Sequence, residues 1–572
     1  MSPLHETARA WLLRDPDPVT RAELQALLDA DDTEEIARRF DGRLAFGTAG
    51  LRGLLGAGPK RMNRVVVRET TAGLADYLLA NVPDAATRGV VIAFDGRRMS
   101  DVFADDATAV LVARGMRVIR FDTLTATPVC ARAVVVHDAA AGVMITASHN
   151  PPDYNGYKVY AGNGAQIIPP LDTGIAAAID ALAGRTIELG ATNSDLVTTI
   201  GGDFERRYLD EALALSPYGD DLDRAAVRIA YTPMHGVGAH LVEPILGDAG
   251  FSNVWTVPSQ RDPDGSFPTV AFPNPEEDGA MDAVVALATE HDAHLAMAND
   301  PDADRLAVAV RRGPGDYLRL TGDQIGVLFG DERLAHTPKP AAVGTTIVSS
   351  RMLSRVAAGA GAQSFTTLTG FKWIANRAME LAEDGVHFAM GYEEAIGFTI
   401  GELVRDKDGV SAVVTFAEMT ARLLAKGQTP LDRLEALYRE HGLFLTHQHS
   451  LWFEPDQTGP TVGDQLRANP PTHIAGRAIT TTVDVQAGTE RDADGTTRSI
   501  DLPASDVLVF YLEDDSRVIV RPSGTEPKLK CYYEIVTSMG DATLDDAMTA
   551  ARATLQSLVD AHQSELDALA GA

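Results

Sequence analysis

Gly89-Val90-Val91-Ile92-Ala93-Phe94-Asp95-Gly96-Arg97-Arg98 is the stretch that decides the fold. Five apolar residues, three of them β-branched, run without a polar break into a turn, and a helical pattern then reaches Arg114. A strand that is apolar at every position is buried on both faces. Strand, turn and helix in that order make half of a parallel βαβ unit. The same order returns twice. Val227 to Tyr231 ends in Thr232-Pro233-Met234-His235-Gly236 before a helical stretch to Ala249, and Ala342 to Val348 ends in Ser349-Ser350 before Met352 to Ala358. The recurrence interval, about 115–140 residues, is too long for a solenoid repeat. The pattern predicts three similar α/β domains. Gly190 to Gly202 is polar and glycine-bearing and closes the first, while Arg311 to Tyr317, with its Gly-Pro-Gly, marks a second turn or boundary. From His447 to Thr497 proline, threonine and aspartate rise and helical character falls, opening a fourth domain that ends in a helix near Leu544 to Leu569. The expected domains are residues 1–200, with a helical N-terminal extension, then 201–318, 319–445 and 446–572.

Composition sets outer limits. The chain has 572 residues, 45% hydrophobic and 23% charged, which suits globular domains and is too apolar for disorder. Acidic residues outnumber basic ones 80 to 50, a formal net charge of −30. That far field repels phosphate polymers, so neither nucleic acid nor an anionic membrane is an expected partner. Cys130 and Cys531 are the only cysteines and form neither a zinc site nor a disulfide scaffold, as in a reducing cytoplasm. Met1 to Asp15 lacks a basic start followed by an apolar core, and no apolar run reaches the ~18 residues of a membrane span, so a cytoplasmic protein is expected. Only eight basic residues are lysines.

Three stretches carry chemistry. The first, Thr146-Ala147-Ser148-His149-Asn150-Pro151-Pro152-Asp153-Tyr154-Asn155-Gly156-Tyr157-Lys158, follows the apolar run Ala141 to Ile145. It begins where a strand ends, the place where open α/β sheets bind ligands. A capping serine is the default for Ser-x-Asn-Pro. Here a histidine, two asparagines and a lysine crowd the same loop, which makes Ser148 a candidate nucleophile. The Gly-x-Ser-x-Gly elbow of an ordinary esterase is absent. The second stretch is Asn299-Asp300-Pro301-Asp302-Ala303-Asp304-Arg305, between the apolar runs Leu295 to Ala298 and Leu306 to Val310. Alternate spacing puts three carboxylates on one side, where they repel unless a hard divalent cation, most simply Mg2+, compensates. An EF-hand fails, because Arg305 replaces its turn glycine and Arg311 its bidentate glutamate. A solvated acidic turn is the bland alternative. The third stretch, Arg521-Pro522-Ser523-Gly524-Thr525-Glu526-Pro527-Lys528, again follows an apolar run and combines a guanidinium fork, hydroxyls and a glycine, as a phosphate cradle does. It is not a Walker loop, so no nucleotide is implied. Gly391-Tyr392-Glu393-Glu394-Ala395-Ile396-Gly397 offers paired carboxylates that could accept sugar hydroxyls, and Phe46 to Gly53 alone reads as an ordinary Gly-rich turn carrying Arg52.

In this order the stretches resemble the α-D-phosphohexomutase family over nearly the whole chain. The resemblance implies four domains: three related mixed α/β domains, then a smaller C-terminal α+β domain, around a central cleft. It makes Ser148 the phosphoserine and Asp300, Asp302 and Asp304 the ligands of Mg2+ together with an oxygen of that serine. Arg521, Ser523, Gly524 and Thr525, with Lys528 beside them, would grip the non-reacting phosphate. Glu393, with Glu394, would read hydroxyls, and Thr369-Gly370-Phe371-Lys372 resembles the loop that helps select the sugar. Arg52, His149, Lys158 and Arg305 match positions near the moving phosphoryl group, with Lys158 or Arg52 handling the proton. The implied reaction interconverts hexose 1- and 6-phosphates through a bisphosphorylated sugar, with glucose 1,6-bisphosphate or an equivalent as activator. One departure matters: many members have Gly-Glu-x-Ser-Gly-His, whereas here Ala395 takes the serine position, as in the branch with type-2 phosphoglucomutases and phosphopentomutases. A phosphopentomutase is therefore the first alternative, followed by a metal-dependent sugar phosphatase and a non-catalytic sensor. Small-molecule sugar phosphates are the expected partners, for a monomer or homodimer.

Overall fold

Val90–Phe94 is a strand buried at all five positions, in a computed structural model that describes residues 3–47, 50–452, 462–522 and 528–570. Two compact units result. One comprises Met1–Gly322, Ala375–Glu383 and Ala395–Gly427, the other Asp323–Ile374, Asp384–Glu394 and Gln428–Ala572.

In the first unit, Val90–Phe94 pairs in parallel with Ala141–Ile145 and Val118–Phe121. The helices Ser100–Ala113 and Thr127–Val136 pack on it, which is why every residue of the strand is apolar. The sheet is mixed beyond this core. Tyr154–Ala161 returns antiparallel to Ala141–Ile145, with Lys158 opposite Met144. Lys158, expected on the serine loop, therefore stands on the returning strand. Leu51–Leu54 adds antiparallel beside it, with Arg52 opposite Gly156, so the presumed Gly-rich turn runs into a strand. On the far edge Val197–Ile200 pairs in parallel with Val118–Phe121, inside the polar stretch expected to close the first domain. Its half-exposed pattern is that of an edge strand, whose polar residues face water. Three N-terminal helices, Pro3–Arg14, Pro18–Asp29 and Thr33–Phe40, precede this sheet. Asp17 and Asp32 cap the second and third, and Trp11 meets Phe40 edge-on at 5.8 Å in the same apolar core as the sheet.

A second sheet of this unit has Arg228–Thr232 between Asn253–Thr256 and Leu295–Ala298, all parallel. Ala307–Gly313 and Asp316–Arg319 continue it antiparallel. The Gly-Pro-Gly stretch is thus the turn of a hairpin. Leu306 donates its N–H to the Ile396 carbonyl at 3.0 Å, and helix Gly409–Leu424 begins at the cap Asp408.

In the second unit, Ala341–Thr346 lies parallel between Gln363–Thr367 and His387–Glu393. A separate antiparallel sheet runs Leu443–Trp452, Lys528–Thr537, Arg517–Pro522, Leu508–Leu512, Arg477–Asp484, Thr489–Asp492 and Thr497–Ser499. Helix Leu544–Ala570 packs against it. Glu534 binds these two layers: buried, it accepts from Ser350 Oγ at 2.9 Å and Arg351 Nε at 2.6 Å, beside Arg517.

Candidate active site

Ser148 follows the strand Ala141–Ile145 by three residues, is 2% exposed, and has φ +52°. A serine keeps that backbone only where its surroundings impose it. Here Thr146 Oγ1 accepts the Ser148 N–H at 2.8 Å. The Arg97 guanidinium donates to the carbonyls of Ser148, Asn150, Pro151 and Tyr154. Ser148 Oγ donates to Asp300 Oδ2 at 2.8 Å and lies 3.3 Å from His149 Nδ1. Burial, then the charges of Arg305 and Arg52, push the His149 ring well below its ordinary 6.5, so it is neutral at pH 7. Arg52 Nη1 donates to Asn150 Oδ1 at 2.9 Å.

The acidic loop joins the antiparallel strands Leu295–Ala298 and Ala307–Gly313. Asp300 Oδ1 accepts the N–H groups of Asp304 and Arg305 at 3.1 and 3.0 Å, and Ala303 takes φ +56°, which folds the loop back on itself. As a result Asp300, Asp302 and Asp304, all fully buried, each bring a carboxylate oxygen within 4.8 Å of the others. Lys158 Nζ lies 2.7 Å from Asp302 Oδ2 and 2.9 Å from Asp304 Oδ2. Lys407 Nζ lies 3.2 Å from Asp304 Oδ2 and 3.0 Å from Asp406. Thr127 Oγ1 donates to Asp302 Oδ2 at 2.6 Å. Burial would raise Asp302, but Lys158 and the hydrogen bonds hold it below the usual carboxylate range. Burial and Asp302 likewise oppose ionisation of Asp304, and Lys158, Lys407 and Arg305 overcome them. Asp300 is held well above the usual range by burial and its two neighbours.

Asp302 Oδ1 and Asp304 Oδ1 are buried with no hydrogen-bond partner among the described residues. Two orphaned carboxylate oxygens in a buried site fit a hard divalent cation. Arg305 stands beside them, its Nη1 donating to the Ala395 carbonyl at 3.1 Å and its Nε 4.0 Å from Asp300 Oδ2.

A second set of side chains lies in the other unit. Glu393 ends the strand His387–Glu393 and accepts the Gly370 N–H at 2.8 Å. Thr369 Oγ1 accepts from Arg521 Nη1 at 3.0 Å. Lys372, in the first turn of helix Phe371–Glu383, is buried and places its ammonium 5.4 Å from the centre of the Trp373 ring. Glu394 accepts from Ser349 Oγ at 3.0 Å and Thr346 Oγ1 at 3.2 Å. Burial, then Glu393 and Asp323, push its carboxyl up to about 7. Lys528 begins the strand Lys528–Thr537, and Ser523, Gly524 and Thr525 lie outside the described residues.

The structure thus collects Ser148, His149, Lys158, Arg52, Arg305 and the three aspartates in one unit. It collects Thr369, Gly370, Glu393 and Arg521 in the other. Sequence reasoning passed over Arg97, Thr127 and Lys407. The one available signal for Lys407 was a lysine set between two aspartates in a lysine-poor chain.

The chain as a whole is similar to known proteins. The chain matches phosphoglucomutase/phosphomannomutase alpha/beta/alpha domain I over residues 43–185, domain II over 206–313, domain III over 321–441 and the C-terminal domain over 491–551. It is 38% identical to a Schizosaccharomyces pombe protein named "Probable phosphoribomutase", across 92% of this chain and 93% of that one. A Haemophilus influenzae protein named "Probable phosphomannomutase" is also 38% identical, across 83% and 93%. The Mus musculus phosphopentomutase is 34% identical, across 94% and 91%. The fold is shared with a phosphoglucomutase/phosphomannomutase family protein of Burkholderia thailandensis, at TM-score 0.65, 21% identity, and 91% and 96% coverage. Four domain matches in order and relatives of this extent make the chain a member of the α-D-phosphohexomutase family, an isomerase of the phosphoglucomutase/phosphomannomutase kind.

Proposed function

We propose that the chain moves a phosphoryl group between two hydroxyls of one sugar phosphate, with Ser148 as the carrier. The observation that carries this is the contact of Ser148 Oγ with Asp300 beside two orphaned carboxylate oxygens. The phosphoryl group passes from Ser148 to the free hydroxyl of the substrate: the sugar O–P bond forms as the serine Oγ–P bond breaks, and the hydroxyl proton ends on the freed Ser148 Oγ. The bisphosphorylated sugar turns around and returns its other phosphate to Ser148. Asp300, Asp302 and Asp304 hold Mg2+, which supplies Lewis-acid compensation of charge on the transferred group. Arg305 and Arg52 add fixed positive charge at that end, while neutral His149 offers a hydrogen bond without charge. Lys158, clasped by two carboxylates, is an ammonium and serves as a counter-charge rather than as the proton acceptor. Glu393 and Thr369, with Arg521 and Lys528, receive the sugar hydroxyls and the distal phosphate.

For the sugar, two readings stand. A pentose, ribose 1- and 5-phosphate, is supported by the names phosphoribomutase and phosphopentomutase on relatives that align over more than nine-tenths of the chain, and by Ala395. A hexose is supported by the phosphomannomutase relative. The expected activator is a sugar bisphosphate, and a Homo sapiens relative 34% identical is named glucose 1,6-bisphosphate synthase. Turnover of ribose 1-phosphate, glucose 1-phosphate and mannose 1-phosphate, each primed with a trace of bisphosphate, decides the sugar. Replacement S148A is expected to abolish turnover and to remove a phosphoryl mass increment from its peptide. Wild-type rates in S148A would sink the mechanism, and release of inorganic phosphate in place of isomer would make the protein a phosphatase.

A further inference from the structure

We infer that the turn Thr232-Pro233-Met234-His235-Gly236 is a positioning element that holds the acidic loop in its cation-binding form. This rests on reading Asp300, Asp302 and Asp304 as the cation site. Met234 and His235 are consecutive, buried, and both left-handed, with φ +50° and +60°. Two side-chain-bearing residues in succession keep that conformation only under constraint from their surroundings.

The constraint is a closed polar ring. Thr232 Oγ1 accepts the Met234 N–H at 3.0 Å and donates to Gln260 Oε1 at 2.6 Å. Gln260 Nε2 donates to Thr269 Oγ1 at 2.9 Å, and His235 Nε2 lies 2.8 Å from the same hydroxyl. So held, the turn bears directly on the acidic loop. The Val237 N–H donates to the Pro301 carbonyl at 2.9 Å, and the Asn299 N–H donates to the Thr232 carbonyl at 3.0 Å. A Cβ on Gly236 would sit 2.3 Å from Pro301 Cα and 2.4 Å from its carbonyl oxygen, so only glycine lets the two backbones meet. Tyr231 completes the grip, its hydroxyl donating to Asn299 Oδ1 at 2.8 Å. The residues immediately before Asp300 and between it and Asp302 are therefore fixed by this turn. None of the turn's residues supplies a carboxylate, so it acts on the cation only through the loop it fixes.

The test reads metal binding directly. The full chain is titrated with Mn2+, and free ion is followed by electron paramagnetic resonance, with Asp302→Asn as the control for the site. Gly236→Ala is expected to weaken binding at least tenfold, the scale on which residues behind metal ligands act. Thr232→Val, which removes the ring's hydroxyl at constant shape, is expected to weaken it at least threefold. Thr232→Ser, which restores the hydroxyl, is expected to return it to within twofold of wild type. Circular dichroism without metal reports the fold, and the Thr232 pair carries the test if Gly236→Ala does not fold. Unchanged Mn2+ affinity in folded Gly236→Ala or Thr232→Val overturns the inference alone. A wild-type protein whose Mn2+ binding is absent, or indifferent to Asp302→Asn, overturns the cation reading and the inference with it.

Discussion

Glu394 is a residue whose charge state the fold shifts toward neutral pH. Its carboxyl rises from 4.5 to about 7 because burial and two neighbouring carboxyls oppose its charge. The folded form therefore binds more protons than the unfolded form between those values, so this group's contribution to stability falls as pH climbs through that interval and stays low above it. Glu394→Gln keeps an acceptor for Ser349 and Thr346 and removes the charge. Its melting temperature should exceed that of wild type at pH 8.5 and approach it at pH 5. An equal difference at both values would refute the assignment. Ser148 and the three aspartates were legible in the sequence because their spacing is local. Arg97 and Lys407 were not, since each meets its partners across a long sequence separation: Arg97 at Ser148 and Lys407 at Asp304.

At the scale of elements, helix Gly409–Leu424 depends on one cap. Asp408 accepts the N–H groups of Val410 and Ser411 at 3.1 Å and the hydroxyl of Tyr208 at 2.6 Å. Gly409, the first helical residue, donates to the Ala303 carbonyl of the acidic loop. Asp408→Ala removes the cap and strands the buried Tyr208 hydroxyl, an expected loss of about 2–4 kcal/mol. Asp408→Asn retains an acceptor and should lose less than half of that in chemical denaturation; equal losses would discount the cap. The buried parallel strands were readable because nothing polar fits between two layers of helices. Leu51–Leu54 and Val197–Ile200 escaped because an edge strand is half wet, and its composition matches that of a loop.

For the whole molecule, the net charge of −30 and the grouping of Lys158, Lys407, Arg305 and Arg97 around Ser148 and the acidic loop are compatible, because fields at contact distance differ from fields at a distance. Duplex DNA at low salt should form no complex at about 10 μM protein. A mobility shift there would show that the cations face outward as a patch. Four domains were legible from the recurrence of strand-turn-helix and the late change in composition, whereas the sugar preference was not, since it depends on how side chains distant in sequence stand around a ligand. The lysines bear on handling as well. Of the eight, Lys158, Lys372 and Lys407 are buried, and only Lys339 and Lys426 are exposed. An amine-coupling resin or an acetylating reagent would thus meet a handful of attachment points, and the protein's own packing would shield the three buried ammonium groups.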